Sequence, residues 1–311
     1  MLAIVCPGQG SQTPGFLSSW TELDGVTDRL AAWSEAAGVD LTAHGTVSDE
    51  QTIKDTAVAQ PLIVAAGLLS AHALGVQDLP AGGWMAAGHS VGEITAAALA
   101  GVLTHEQSLE FVRIRATGMA EAAGATPTGM SAVLGGDPDE VTARLEELGL
   151  VPANANGGGQ TVAAGSLEAL ATLAEEPPAK ARVIALKVAG AFHTPYMESA
   201  VPALRDYAAG LQPQDPTVTL LSNRDGQTVS DGSEVVERLI DQVTRPVRWD
   251  LCMESLGAAG VTGILELLPG GTLTGLAKRA LKGTPTLAVK SPDDLEKARA
   301  FITEHATPVA D

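Results

Sequence analysis

The stretch "AAGHSVGEITAAA", residues 86–98, sets one serine between two glycines, after an apolar approach and before an alanine-rich run. Gly88-His89-Ser90-Val91-Gly92 fits the pattern G-x-S-x-G. A serine exposed at a sharp strand-to-helix turn needs small neighbours, because the backbone there takes a strained path. The helix that follows aims its free N–H groups at the corner, ready for a developing negative charge. The same pattern also occurs at ordinary Gly-rich turns. The apolar run before it and the helical run after it favour the elbow, with Ser90 as nucleophile.

Working outward, the chain reads as an α/β protein. Leu2–Cys6, Trp84–Ala87, Thr217–Ser222 and Gly263–Leu267 are strand-like, and Ala57–Leu74, a run through Leu99 and Gln107–Ala123 are helix-like. Apolar strands alternating with helices imply a mostly parallel sheet covered on both faces. Residues 126–190 follow a different rhythm: strand 129–136, helix 137–149, strands near Val151 and at Thr161–Ala164, helix 166–176, strand Ala181–Ala189. That βαββαβ order is ferredoxin-like. Ser166 and the acidic start at Asp137 and Asp139 read as helix caps. The expected division is a large domain, 1–125 and 191–311, with a small domain, 126–190, inserted into it.

At 311 residues with 45% hydrophobic and 18% charged residues, the composition is globular. The net charge of −18 argues against nucleic acid or an anionic membrane as partner. The N-terminal apolar run is too short for a signal peptide, and no uncharged apolar stretch approaching a bilayer's thickness is expected. The expected location is the cytoplasm. The two cysteines, Cys6 and Cys252, read as buried reduced thiols, and the six histidines lack metal-ligand spacing, so no metal is expected.

A serine hydroxyl needs a base. His89 is its chain neighbour, and neighbours on a sharp turn point apart. His44, His72, His105 and His305 have no supporting pattern. His193 follows a strand and precedes Thr194, a candidate N-cap, and Pro195, suited to a first helical position. It therefore lies on a loop at a strand's C-terminal end, where α/β sheets carry their sites. On spacing alone it is either that base or a loop histidine without a role. No carboxylate completes a triad, since the acids between Ser90 and His193 read mostly as helix-surface residues. The turn "PGQGSQ" (7–12) lacks the last glycine of a dinucleotide fingerprint, so its N–H groups are open to a part in an oxyanion hole.

Several stretches occur together in order: "PGQGSQ", "AQPLIVAA" (59–66), "GHSVGE" (88–93), "VRIRATGM" (112–119), "ANANGGGQ" (153–160), "AFHTPYM" (191–197), "QVTRPVRW" (242–249) and "LTGLAKR" (273–279). With them the chain resembles the malonyl-CoA:acyl carrier protein transacylases over nearly its whole length. The resemblance implies a hydrolase-like α/β domain with a ferredoxin-like insert. It implies Ser90 as the malonyl-carrying nucleophile, His193 as its base, and the Gln242 carbonyl holding the other imidazole nitrogen. The N–H groups of Gln9 and Val91 would form the oxyanion hole. Arg115 would pair with the malonyl carboxylate, while Asn154 and Asn156 would line the cleft. Phe192 and Val91 match the malonyl-selecting pattern of polyketide acyltransferase domains. No cofactor is implied, since malonyl-CoA is a substrate. One departure is Leu268 before Pro269, where the family often has glycine.

Arg115 is sensible on its own terms, because a guanidinium fork matches a carboxylate; Arg113 reads as a surface residue. An acidic carrier protein would need a local basic patch on this acidic chain, and Arg245, Arg248, Lys278 and Arg279 are the candidates. The competing reading is a serine hydrolase or thioesterase, which has no reason to bury a cation beside its acyl pocket.

Overall fold

Strand β1 (Leu2–Cys6) is apolar and buried at every position, as a strand covered on both faces must be. The computed structural model describes residues 1–307. Along them follow β2 (Trp84–Gly88), β3 (Thr128–Gly135), β4 (Val151–Gly157), β5 (Gln160–Ser166), β6 (Ala181–Ala185), β7 (Thr219–Leu220), β8 (Val247–Arg248), β9 (Gly263–Glu266) and β10 (Thr286–Ala288). One sheet has the order β10-β9-β1-β2-β7. All its pairs are parallel, with Cys6 opposite Gly88 at the end that carries the elbow.

The second sheet has the order β6-β3-β5-β4-β8. Its first four strands pair antiparallel in the ferredoxin-like arrangement, with helices Pro138–Glu147 and Leu167–Glu175 between them. The expected α/β class, a parallel sheet with a ferredoxin-like insert, is what the chain forms. β8 comes from outside the insert and adds to β4 in parallel, so the second sheet runs on into the later chain. The last residues of the range 191–311, from 308 onward, lie outside the described residues.

Caps fall where the sequence places them. Asp137 accepts from the Asp139 and Glu140 N–H groups, Ser166 from Ala169, and Thr194 from Tyr196. Other elements are shorter than expected. The strand expected over Thr217–Ser222 is two residues, and the one expected over Ala181–Ala189 stops at Ala185. Val188, beyond it, lines the cleft between the two sheets.

One expectation is overturned. The helix Thr56–Leu74 has 19 residues and a mean hydropathy of 1.6, enough by length and composition to cross a bilayer. It is 78% buried inside the protein. It is apolar on nearly every side because the helices His105–Ala125 and Gly92–Leu99 pack against it, which leaves little solvent face to mark with charge. Cys6 and Cys252 are free and buried, as expected.

Candidate active site

The elbow is held open by close packing and by strain. Ser90 has φ +53°, a left-handed conformation rare outside glycine. A Cβ on Gly88 would collide with the Gly92 carbonyl, and one on Gly92 would collide with the Cys6 carbonyl oxygen. Both glycines are therefore required by the approach of three backbone segments. Asn223, just past β7, staples the turn: its Oδ1 accepts from Ser90 N at 2.8 Å and its Nδ2 donates to the Gly88 carbonyl at 2.7 Å.

His193, also at positive φ (+61°), approaches from the other side. Its Nε2 is 2.7 Å from Ser90 Oγ, and its Nδ1 is 2.8 Å from the Gln242 backbone oxygen. A carbonyl only accepts, so Nδ1 carries the hydrogen and Nε2 is left to accept the serine proton. Burial, reinforced by the nearby Arg115 charge, lowers the His193 pKa to about 3. The imidazole is thus neutral at ordinary pH. Among the described residues no carboxylate bonds to it.

The Arg115 guanidinium is 1% exposed. Its Nη1 donates to Gln60 Oε1 at 2.6 Å and its Nη2 to Gln242 Oε1 at 2.8 Å, with Nη2 also 3.4 Å from Ser90 Oγ. Each Nη has two hydrogens, so the amides do not exhaust the fork. Burial lowers the Arg115 pKa only to about 10, which leaves it charged. Arg113, two residues away, is exposed as expected.

A cavity of about 220 Å³ opens in front of Ser90 and His193, between the two sheets. Gln9, Val91, Asn154, Asn156 and Phe192 all line it, against walls that include Met119, Met130, Val162 and Val188. Among the described residues neither the Gln9 nor the Val91 N–H has a hydrogen-bond partner. Asn156 Oδ1 is 2.8 Å from His89 Nε2. His89 thus faces the small sheet and the edge of Trp249, not the serine hydroxyl. Arg115 and Gln242 stand behind the cavity wall.

Three participants escape a reading by spacing alone. Gln60 is one amide in an apolar run, and Asn223 is one amide in a polar turn. The acids between Ser90 and His193 do lie mostly at the surface, and Glu93 is the exception among them. It is 6% exposed in the first turn of helix Gly92–Leu99 and accepts from Asn223 N at 2.6 Å and from Gln242 Nε2. Its place in "GHSVGE", one helical step past the serine, was the available signal. The four expected cations also separate. Arg248 is paired with Asp250 at 2.8 Å and Arg245 lies 3.8 Å from Asp241. Lys278 and Arg279 are exposed and have no ion pair among the described residues. They end helix Thr272–Ala280, whose Leu273 and Leu276 line the cavity. The Leu268–Pro269 peptide is cis.

A strained serine, a neutral imidazole with a fixed tautomer and unpaired N–H groups beside an acyl-sized cavity make up the equipment of a serine acyl-transfer protein. The acyl transferase domain profile matches residues 3–300. The malonyl CoA-acyl carrier protein transacylase of Mycobacterium tuberculosis is 54% identical over 298 residues, 96% of this chain and 99% of its own. The crystal structure of MCAT from Mycobacterium tuberculosis aligns with a TM-score of 0.92 at 53% identity, over 96% of this chain and 99% of that one. A malonyl-transacylase in complex with a type II PKS acyl-carrier protein, PlMCAT:AntF, aligns at 0.90 and 30% identity, over 96% and 99%. The chain belongs to the malonyl-CoA:acyl carrier protein transacylase family.

Proposed function

We propose that this chain moves malonyl groups from malonyl-CoA to the phosphopantetheine thiol of an acyl carrier protein, through an ester on Ser90, for fatty acid or polyketide synthesis. His193 Nε2 takes the Ser90 proton as Oγ attacks the thioester carbonyl. The Gln9 and Val91 N–H groups receive the oxyanion. The tetrahedral intermediate expels the CoA sulfur, which leaves with the proton from His193. The carrier thiol then enters by the same steps in reverse. The Gln242 carbonyl steadies the imidazolium formed in each half-reaction, the task a carboxylate has in a triad.

Arg115 meets the free malonyl carboxylate, and Phe192 narrows the cavity against branched acyl groups. Asn154 and Asn156 give its far wall polar reach. Residues 126–190 serve as the small domain that closes the cleft, and Lys278 and Arg279 meet the acidic carrier at its rim. Proton transfer falls to His193, so no resident cofactor or metal enters the scheme. Free buried thiols suit work in the cytoplasm. A serine hydrolase would leave Arg115 without a task.

The observation that carries this reading is the chain Ser90–His193–Gln242 carbonyl with a buried arginine 3.4 Å from the same hydroxyl. Incubation with malonyl-CoA followed by intact mass measurement should add one malonyl group, stable to denaturation. Ser90→Ala should abolish the adduct, and an adduct of undiminished extent on that variant would sink the assignment.

A further inference from the structure

The buried carboxylate of Glu93 touches neither the serine nor the imidazole, yet it bonds both residues that brace the elbow backbone, Asn223 and Gln242. Its Oε1 accepts from the backbone N–H of Asn223, the residue that staples Ser90 N and the Gly88 carbonyl. Its Oε2 accepts from Gln242 Nε2, which also donates to the Ser90 carbonyl at 3.1 Å. The other end of that amide, Gln242 Oε1, accepts from Arg115 at 2.8 Å. The amide therefore stands between a carboxylate and a guanidinium. An ionised carboxylate only accepts and a guanidinium only donates, so one orientation satisfies both.

We propose that Glu93 is a positioning residue: its carboxylate sets the direction of the Gln242 amide, and through that amide it aims the Arg115 fork at the acyl group on Ser90. This rests on the reading above that Arg115 meets the malonyl carboxylate. Its physical content is in what a neutral Glu93 does. The Asn223 N–H is a fixed backbone donor that holds Oε1 as an acceptor, which leaves Oε2, facing the mobile Gln242 amide, as the oxygen that takes an added proton. That proton needs an acceptor. Gln242 offers one only by turning its amide over, which sets its NH₂ against the Arg115 N–H, donor against donor. Arg115 then loses one of its two amide partners, the one on the Nη2 that lies beside Ser90, and an unsatisfied buried donor is costly.

The groups facing Glu93 are the Asn223 backbone, the Gln242 amide, Arg115 on helix His105–Ala125, Arg238 on helix Gly232–Asp241 and the Cys252 thiol on helix Trp249–Ala258. Arg238 is engaged by Asp225 and Glu234, and burial keeps the Cys252 thiol protonated. Burial, opposed by those hydrogen bonds and by Arg115, raises Glu93 to about 7. His193, held at about 3, does not titrate in the same range.

The test compares acylation of intact enzyme by malonyl-CoA and by acetyl-CoA, as a ratio of kcat/KM, from pH 6 to 8. In the wild type the malonyl preference should fall as pH drops through about 7. Glu93→Gln mimics the protonated acid, since its NH₂ must face Gln242. It should lower the ratio by about tenfold at pH 8 and remove its pH dependence. Glu93→Asp keeps the charge and should retain a pH-dependent preference at a lower rate. A purely structural role would lower both substrates together in all variants. A wild-type ratio in Glu93→Gln, or equal ratios in the Gln and Asp variants, overturns the proposal. Arg115→Ala, run beside them, should cut the ratio by about 30-fold or more. If it does not, the assignment of Arg115 fails first, and the two failures are told apart.

Discussion

In the parallel sheet β1 and β2 are buried at every position, whereas in the second sheet β6 leaves most of its residues open to solvent. The two sheets face each other across one cavity and contribute different things to it. The parallel sheet supplies the groups that need sub-ångström placement: Ser90 at its strained corner, with Gly88 and Gly92 in contact with neighbouring backbone. The second sheet supplies walls, among them Met130, Asn154, Asn156 and Val162. Strain is tolerated only where surrounding structure over-determines it, and that condition holds in the parallel sheet. The second sheet, with β6 as an exposed edge strand, carries no comparable strain at its walls.

The sharpest way to break this contrast is to add one methyl group to each region. Gly92→Ala drives a Cβ into the Cys6 carbonyl oxygen, which cannot move without shifting β1, and should cost about 3 kcal/mol or more, with loss of acylation. Gly149→Ala, between helix Pro138–Glu147 and β4, meets nothing within 4 Å and carries only the penalty of φ +65°, about 1–2 kcal/mol. Urea unfolding of both variants checks the difference. Equal costs would show that the elbow is no more constrained than the second sheet.

The next test uses the buried imidazole. His193 is held below the ordinary imidazole value of 6.5, so below that pH the unfolded chain takes up a proton that the folded chain refuses. Its contribution to stability is present above about 6.5 and is lost as pH falls from there toward about 3. His193→Ala removes that slope. The stability deficit of the variant against wild type should therefore shrink between pH 7 and pH 5. A constant deficit would mean that His193 is solvated, and the water-excluded character of the parallel-sheet side would be lost with it.

The smallest effect is expected at the rim. Reversing Lys278 and Arg279 to glutamate removes two exposed cations from an otherwise acidic surface. The KM for carrier protein should rise by a factor of about ten, each charge contributing up to about 1 kcal/mol, and the rise should weaken at high salt. Malonylation of Ser90 by malonyl-CoA should change far less. If both half-reactions fell together, these cations would belong to the malonyl-CoA side of the cleft.

Much of this was legible in one dimension. The elbow, the βαββαβ rhythm, the caps at Asp137, Ser166 and Thr194, and the separation of Arg115 from Arg113 all depend on local spacing or on motif. Each was found where it was expected. Local spacing was misleading where partners come from far along the chain. The helix Thr56–Leu74 shows almost no polar face because other helices cover most of its surface. The two-residue strand β7 is defined by its pairing with β2 rather than by its own length. The four late cations differ only in whether an acid lies within reach.

By itself the sequence determined the serine, its glycines, the histidine with its helix cap, and the family that their order reveals. Backbone geometry follows from near neighbours, and motifs record it. Only the tertiary structure decided what each charge does. Glu93 and Glu106 both stand in the first turn of a helix, yet Glu93 is sealed among two amides and an arginine while Glu106 meets solvent. Asn223 is 130 residues from Glu93, and Gln242 is 149. Hydrogen bonds across such separations form only once the parallel sheet has brought its strand ends together, and burial, opposed by those bonds, then raises the Glu93 carboxyl above its ordinary value.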